Sequence, residues 1–157
     1  MILYRLGGRE HAHKMDGAGA ARNGGRWNPP GVPLLYTSSH RSLALCEVLV
    51  HFPDLEVFPT DYEFITYRVS GRHSVWRPHV RTLPSGWDDP GAVRKEAQEL
   101  GMRFHGSEDL LLRLPSAVVP HEFNYLINPR HVQEHVRIIR REPFKLDERL
   151  NIFRDKP

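Results

Sequence analysis

The sequence predicts an α+β fold, and three observations predict it. Only two stretches carry helical patterning, about seven short apolar runs read as strands, and those runs cluster in the second half of the chain. Strict alternation of strands with helices, which a doubly wound parallel sheet requires, is missing. At 157 residues the chain is read as one domain spanning 1–157, long enough to bury roughly 70% of the surface its unfolded form exposes.

Taken in order, residues 2–6 alternate enough for an edge strand. Residues 7–25 form a glycine-rich segment too polar to pack, and loops of that length in a compact domain often border a site. Residues 33–37 read as a short strand, after which Ser38 or Ser39 is the expected N-cap of a helix running to about Phe52. Leu43, Cys46 and Val50 share one face of that helix, and Glu47 and His51, four apart, are expected to project together. Residues 62–69 alternate Ile65, Tyr67 and Val69 with more polar partners, the period of a half-buried strand. Residues 70–88 read as loop. Asp88 or Asp89 is expected to cap a second helix, with Pro90 in its first turn, Gly101 at its end, and Val93, Ala97 and Leu100 as its buried stripe. The apolar runs 110–114, 117–119, 125–127 and 136–139 complete a second half that is mainly sheet.

Composition sets limits on function. Hydrophobic residues make up 39% and charged residues 26% of the chain, the balance of a soluble globular protein, and no stretch approaches the ~18 continuous apolar residues of a membrane span. The segment Met1-Ile2-Leu3-Tyr4-Arg5-Leu6 lacks the basic start and long apolar core of a signal peptide, so secretion is not expected. The single cysteine, Cys46, lies among apolar residues and reads as a small core residue, consistent with a reducing cytoplasm. The net charge is +3, but acidic and basic residues are interspersed, so no strong single-sign field points to nucleic acid. Of the 22 basic residues 18 are arginine, which either reflects a GC-rich genome or favours pairing with phosphates and carboxylates.

Several motif matches fail on context. Gly17-Ala18-Gly19-Ala20-Ala21-Arg22 resembles the start of a dinucleotide fingerprint, but Arg22 replaces the third glycine and no buried strand precedes it. His131-Val132-Gln133-Glu134-His135 fits a zinc-peptidase pattern that needs a helix, whereas Asn128-Pro129 precedes it and a β-like run follows. No metal is therefore expected. Neither a G-x-S-x-G elbow nor a P-loop lysine occurs.

The most informative segment is Gly24-Gly25-Arg26-Trp27-Asn28, followed by Gly31-Val32-Pro33-Leu34-Leu35-Tyr36, with Glu47 further on. A fixed cation, an aromatic ring and a carboxylate then fall within one short folding unit. The set suits a ligand with a phosphate end and a cationic or cation-forming end, because arginine pairs oxyanions bidentately and a carboxylate stabilises positive charge. NAD⁺ is such a ligand.

In this order the residues resemble the RES family, the toxin half of RES–Xre toxin–antitoxin pairs. The resemblance rests on Tyr4-Arg5, on Gly24 to Asn28, on Gly31-x-Pro33-x-x-Tyr36 and on Ala44-x-x-Glu47. It continues through Leu114 to Pro120, Asn124 to Pro129 with His131, and Pro143-Phe144-x-x-Asp147-x-Arg149-Leu150, so it covers nearly the whole chain. The family's eponymous arginine, glutamate and serine fall on Arg26, Glu47 and Ser116. After Gln98-x-x-Gly101 the family usually has Asp-x-Trp, where this chain has Met102-Arg103-Phe104.

The resemblance implies an ADP-ribosyltransferase-like split sheet and a cleft in which the nicotinamide–ribose bond of NAD⁺ is broken by hydrolysis, by phosphorolysis or by ADP-ribosyl transfer to a protein acceptor. It implies a cytoplasmic protein whose site is covered by an Xre-like, DNA-binding antitoxin, with no direct contact to nucleic acid. Arg26, Glu47 and Ser116 are the expected catalytic residues. Glu47 faces the developing positive charge. Arg26 holds phosphate or ribose oxygens, Tyr36 stacks on or orients the nicotinamide ring, and Ser116 bonds ribose or carboxamide. His51 is expected to orient Glu47 or carry a proton, and Arg5 to add a second phosphate contact. Two other classes remain open: an RNA-cleaving toxin using histidines and arginines, and a noncatalytic module whose cleft serves only a partner.

Overall fold

The computed structural model describes residues 1–52 and 57–150. The strand Tyr62–Val69 is buried along almost its whole length. Ile65, Tyr67 and Val69 are buried on one of its faces and Phe64 on the other, so the sequence alternation is only partly expressed as an inside and an outside. In chain order the strands are β1 (Ile2–Gly8), β2 (Leu35–Ser38), β3 (Tyr62–Val69), β4 (Val75–Trp76), β5 (Leu111–Pro115), β6 (Phe123–Ile127) and β7 (Val136–Pro143). They form a seven-stranded sheet in the order β4-β5-β6-β2-β1-β3-β7, antiparallel except between β4 and β5. The helices are α1 (Ala18–Asn23), α2 (Arg41–Leu49), α3 (Lys95–His105) and α4 (Val132–His135). The architecture is α+β, as the clustering of strands predicts.

The sheet is almost divided. Strand β1 pairs β3 continuously from Ile2↔Arg68 to Gly8↔Tyr62, and β2 pairs β6 from Leu35↔Ile127 to Ser38↔Asn124. Between β1 and β2 the register holds at Tyr4↔Ser38 alone. Past that point the end of β1 and the start of β2 part, leaving a gap in the middle of the sheet.

Three apolar clusters fix the layers. On one face, α2 covers β1 and β3 through Ala44 against Leu6 and Phe64. On the same side of the other half-sheet, α3 sets Ala97, Leu100 and Phe104 against Leu112, Leu114 and Leu126. The opposite face joins both halves through Leu3, Ile65, Tyr67, Leu111 and Ile127, capped by Ala12 and by Val132 of α4.

Several sequence expectations are corrected. Strand β1 is interior and not an edge, because it pairs β2 on one side and β3 on the other, and its Leu3 and Leu6 are buried on opposite faces. Residues 7–25 are not one loop: β1 runs to Gly8, a 3-10 turn covers Arg9–His11, and α1 follows. The N-cap of α2 is His40, since Ser38 is the last residue of β2, and α2 ends at Leu49. Helix α3 starts at Lys95. Asp89 caps a turn instead, its Oδ1 accepting from Gly91 N at 2.9 Å and its Oδ2 pairing Arg94 at 2.9 Å. Gly101 lies inside α3, where a Cβ would stand 1.6 Å from the Trp27 carbonyl oxygen. It is a glycine of close approach, not of helix termination. Residues 117–119 form bends, held by Ser116.

Candidate active site

Glu47 is half-buried on α2, and its Oε1 accepts two side-chain hydrogen bonds. Ser116 Oγ donates at 2.7 Å, and Asn124 Nδ2 donates from β6. Each donor is itself held. Ser116 Oγ accepts the backbone N–H groups of Val118 and Val119 at 3.0 and 2.9 Å, and Asn124 Oδ1 accepts from Ser38 Oγ at 2.7 Å. A carboxylate so fixed keeps one oxygen engaged, while Oε2 has no hydrogen-bond partner among the described residues. Ser116, expected from the sequence to bond ribose or carboxamide, here directs its hydroxyl to Glu47.

Arg26 and Tyr36 form a second group. Arg26 Nη1 donates to the carbonyls of Trp87 and Asp89, the latter at 3.0 Å, which holds the guanidinium across the 87–89 loop. The Tyr36 hydroxyl donates to Asn28 Oδ1 at 2.7 Å and accepts from Trp27 N at 3.1 Å. Burial pushes this phenol well above its ordinary value, with the Trp27 N–H and the nearby Arg26 charge opposing. Its hydroxyl is therefore spent on the loop that carries Arg26, which leaves the ring as the part able to meet a ligand. Asn28 Nδ2 donates to the carbonyls of Ala20 and Val32, both at 2.9 Å, and Gln98 Nε2 of α3 donates to those of Gly25 and Asn28, both at 3.1 Å. Only glycine fits at residue 25, because a Cβ there would lie 2.8 Å from the Tyr36 hydroxyl.

Strand β2 links the two groups. Tyr36 and Ser38 are two residues apart on one face, about 7 Å along the strand, so the Arg26–Tyr36 group adjoins the Ser38–Asn124–Glu47 chain. Arg5 leaves β1 on the other face, opposite Ile65, and is not brought to Glu47. Its guanidinium lies beside the buried Tyr67 hydroxyl, whose titration burial pushes upward and Arg5 opposes. That hydroxyl makes no hydrogen bond of normal geometry. Arg5 also lines a cavity of about 140 Å³ at the gap between β1 and β2, together with Lys14, Arg22, His11, Asp16 and Tyr36. Three permanent cations against one carboxylate make this an anion-favouring space. It is smaller than the roughly 300–1,000 Å³ of a complete small-molecule site, so a dinucleotide would extend beyond it.

His51 does not join Glu47. The helix ends at Leu49, the His51 N–H bonds the Val48 carbonyl at 3.0 Å, and the imidazole is exposed. The i, i+4 geometry expected for this pair needs the helix to continue two residues past its end at Leu49. His131 and His135 fall at the ends of a 3-10 turn and of α4, and His131 Nε2 bonds the Ser107 carbonyl at 3.0 Å. Among the described residues no group of three His, Cys, Asp or Glu side chains could hold a metal ion. Nor is any described helix long and apolar enough to cross a membrane.

Sequence reasoning missed Ser38, Asn124, Asn28 and Gln98 as parts of this arrangement. One signal was available for Asn124. Asparagine is depleted in strands, and one between Phe123 and Tyr125 at the start of an apolar run invites the question of what its amide bonds.

Comparison with known proteins follows the same lines. The family model described as "RES domain" matches residues 2–147. "Toxin Res" of Photorhabdus laumondii is 34% identical over 154 residues, covering 96% of this chain and 97% of that protein. "Toxin Res" of Pseudomonas putida is 36% identical over 152 residues, covering 96% and 99%. "Prs ADP-ribosylating toxin" of a Sphingobium species is 36% identical over 124 residues, covering 76% and 75%. Among solved structures, a chain of the Mycobacterium tuberculosis MbcT–MbcA toxin–antitoxin complex superposes with a TM-score of 0.61 at 18% identity, over 96% of this chain and 86% of that one. That likeness bears on the fold alone, and it agrees with the α+β sheet described above. The family match and the relatives together place this chain in the RES domain family.

Proposed function

We propose that this protein is the toxin of a toxin–antitoxin pair and that it cleaves the nicotinamide–ribose bond of NAD⁺. The single observation that carries the reading is Glu47, held by Ser116 and Asn124 through one oxygen and, among the described residues, without a hydrogen-bond partner for the other. In the cleavage, the C1′–N bond breaks, its electron pair leaves with nicotinamide, and positive charge develops on the ribose. A fixed carboxylate oxygen beside C1′ stabilises that charge without reorganising, which is the largest kind of term available to such a site. The incoming oxygen of water, phosphate or a protein side chain then forms the new bond to C1′ and loses its proton to solvent.

The other parts divide the substrate among them. Arg26, through the guanidinium nitrogens not used on the 87–89 loop, holds ribose or phosphate oxygens. Tyr36 offers its ring to the nicotinamide. Arg5 and the cationic cavity at the gap in the sheet take the diphosphate end, where bidentate arginine contacts are strongest. Ser116 fixes Glu47 before it meets substrate. The name of the Sphingobium relative, an ADP-ribosylating toxin, supports chemistry of this class. An enzyme that drains a central cofactor has to be blocked in its own cell, so an Xre-like antitoxin covering the cleft in the cytoplasm completes the reading. The solved toxin–antitoxin complex of like fold supports such a partner.

The test is to incubate purified, antitoxin-free protein with NAD⁺, with and without phosphate and cell extract, and to follow products by NMR. Free ADP-ribose, ADP-ribose 1″-phosphate and labelled protein distinguish the three acceptors. Glu47→Gln keeps the shape and the bond from Ser116 but removes the charge, and it is expected to lower nicotinamide release by about 10²–10³-fold, the range seen when one preorganised electrostatic group is lost. Wild-type protein that is folded and releases no nicotinamide would sink the proposal.

A further inference from the structure

We propose that Glu122, with Ser39 and His40, is a positioning clasp that fixes the Ser116 turn against the start of α2 and thereby sets the orientation of Glu47. The inference rests on the NAD⁺-cleavage reading for its kinetic part. The turn at 116–122 joins β5 to β6 and closes on itself. Ser116 N–H donates to the Glu122 carbonyl at 2.9 Å, and Glu122 N–H donates to the Val119 carbonyl at 3.3 Å. Among the described residues His121 is the non-glycine residue with positive φ, at 69°. A left-handed residue of this kind is retained where the surrounding structure over-determines it, and here it returns the chain so that Glu122 faces α2.

The turn then grips α2 at two points. At one end Ser116 Oγ donates to Glu47 at 2.7 Å. At the other, the Glu122 carboxylate accepts from Ser39 Oγ at 3.3 Å and contacts His40 Nδ1 at 2.7 Å, while Ser39 N–H donates to the Phe123 carbonyl at 3.1 Å. His40 is the N-cap of α2 and stands seven residues before Glu47, close to two helical turns and about 10 Å along the axis. Two attachments so spaced add a polar constraint on the rotation of α2 and on its slide along the sheet, beside the apolar packing of Ala44 on Leu6 and Phe64.

Exposure separates this role from a stabilising one. The His40 and Glu122 side chains are 61% and 35% exposed, and exposed ion pairs contribute little to stability. Removing the clasp is therefore expected to loosen the turn and misplace Glu47 while the fold persists. Displacements of about 1 Å at a reacting centre lower rates by up to about 10²-fold.

The test compares Glu122→Ala, Glu122→Gln and His40→Ala in the full chain, reading kcat and KM for nicotinamide release, Tm, and amide hydrogen exchange at Val118 and Val119. Glu122→Ala is expected to lower kcat by about tenfold, to leave KM within about twofold and Tm almost unchanged, and to speed exchange at both amides. Glu122→Gln, which still accepts from Ser39 and His40, restores most of the rate and the protection. His40→Ala shifts both readouts the same way and carries the comparison should Glu122→Ala fail to fold. Wild-type kcat and wild-type exchange in Glu122→Ala overturn the clasp. If wild-type protein releases no nicotinamide, the cleavage reading fails, and the exchange at Val118 and Val119 still decides whether the clasp exists.

Discussion

Replacing Gly101 by alanine sets two effects against each other. Inside an α-helix the change taken alone is favourable by about 1 kcal/mol, since glycine is the poorer helix former. Here the new Cβ would stand 1.6 Å from the Trp27 carbonyl oxygen, where real Cβ contacts essentially never fall below 3.0 Å. Helix α3 or the 25–28 loop must retreat by at least about 1.4 Å. A radial gap of 0.5–1 Å already forfeits a quarter to a half of the dispersion attraction. Leu100 and Phe104, which α3 buries against the sheet, contribute roughly 1.5–3 kcal/mol each, so loosening them loses about 1–3 kcal/mol. The two hydrogen bonds from Gln98 to Gly25 and Asn28 stretch as well, at about 1 kcal/mol each. The net expectation is destabilisation by roughly 2–4 kcal/mol, a fall in Tm of about 4–16 °C for a chain of this size. Urea unfolding followed by tryptophan fluorescence measures it, with Trp27 and its stacking partner Trp87 reporting from the contact itself. Gly101→Ala as stable as the wild type, or more so, would refute the reasoning, because the contact at Trp27 would then cost no more than the gain in helix propensity.

Two further outcomes follow from the site. Asn124→Ala removes one of the two donors to Glu47 and leaves the Ser38 hydroxyl without its acceptor. It is expected to lower kcat for nicotinamide release by about tenfold, or ~1.4 kcal/mol, with KM little changed; a rise in KM at constant kcat would assign Asn124 to substrate binding instead. The second concerns alkaline pH. The folded Tyr36 phenol titrates above its unfolded value near 10, so its contribution to stability is complete below about pH 10 and is lost as pH rises toward the folded value. Tyr62 and Tyr67 shift in the same direction. Tyr36→Phe is therefore expected to lower stability at neutral pH, by loss of the bonds to Asn28 and Trp27, yet to flatten the decline above pH 10. An unchanged slope in denaturation midpoints between pH 9 and 11 would contradict this.

What the sequence carried is mostly local. The clustering of strands indicates the fold class, the periodicity of residues 62–69 locates β3, and the order of motifs brings Glu47 and Ser116 into one expected site. What it hid is set by tertiary contact. Asp88-Asp89-Pro90 has the chemistry of a helix start, but Arg94 and the Gly91 N–H take the Asp89 carboxylate and Arg26 takes the Asp89 carbonyl, so a turn forms there. Gly101 has the chemistry of a helix stop, and only the approach of Trp27 explains it. His51 was paired with Glu47 on the assumption that an apolar pattern extends a helix as far as it runs. Sequence spacing is blind to where a backbone N–H first finds a nearer carbonyl, as the His51 N–H does at Val48.

The same distinction bears on how the proposed chemistry is arranged in space. Glu47, Ser116 and Asn124 gather where the half-sheets remain joined, next to Tyr4↔Ser38, and each side chain that holds Glu47 is itself bonded to backbone or to a neighbouring strand. Arg5, Lys14 and Arg22 gather where the strands part. A developing charge is stabilised best by groups that need not move when it forms, whereas long cationic side chains at an open gap can follow a flexible polyanion. On the cleavage reading, substitutions at the join act on kcat and substitutions at the gap act on KM. Arg5→Ala is the discriminating case: it stands on the opposite face of β1 from Glu47, and a rise in KM with kcat preserved is the outcome this division requires, measured in the same nicotinamide-release assay. A fall in kcat alone would mean that Arg5 serves the join, and that the two regions do not divide the work.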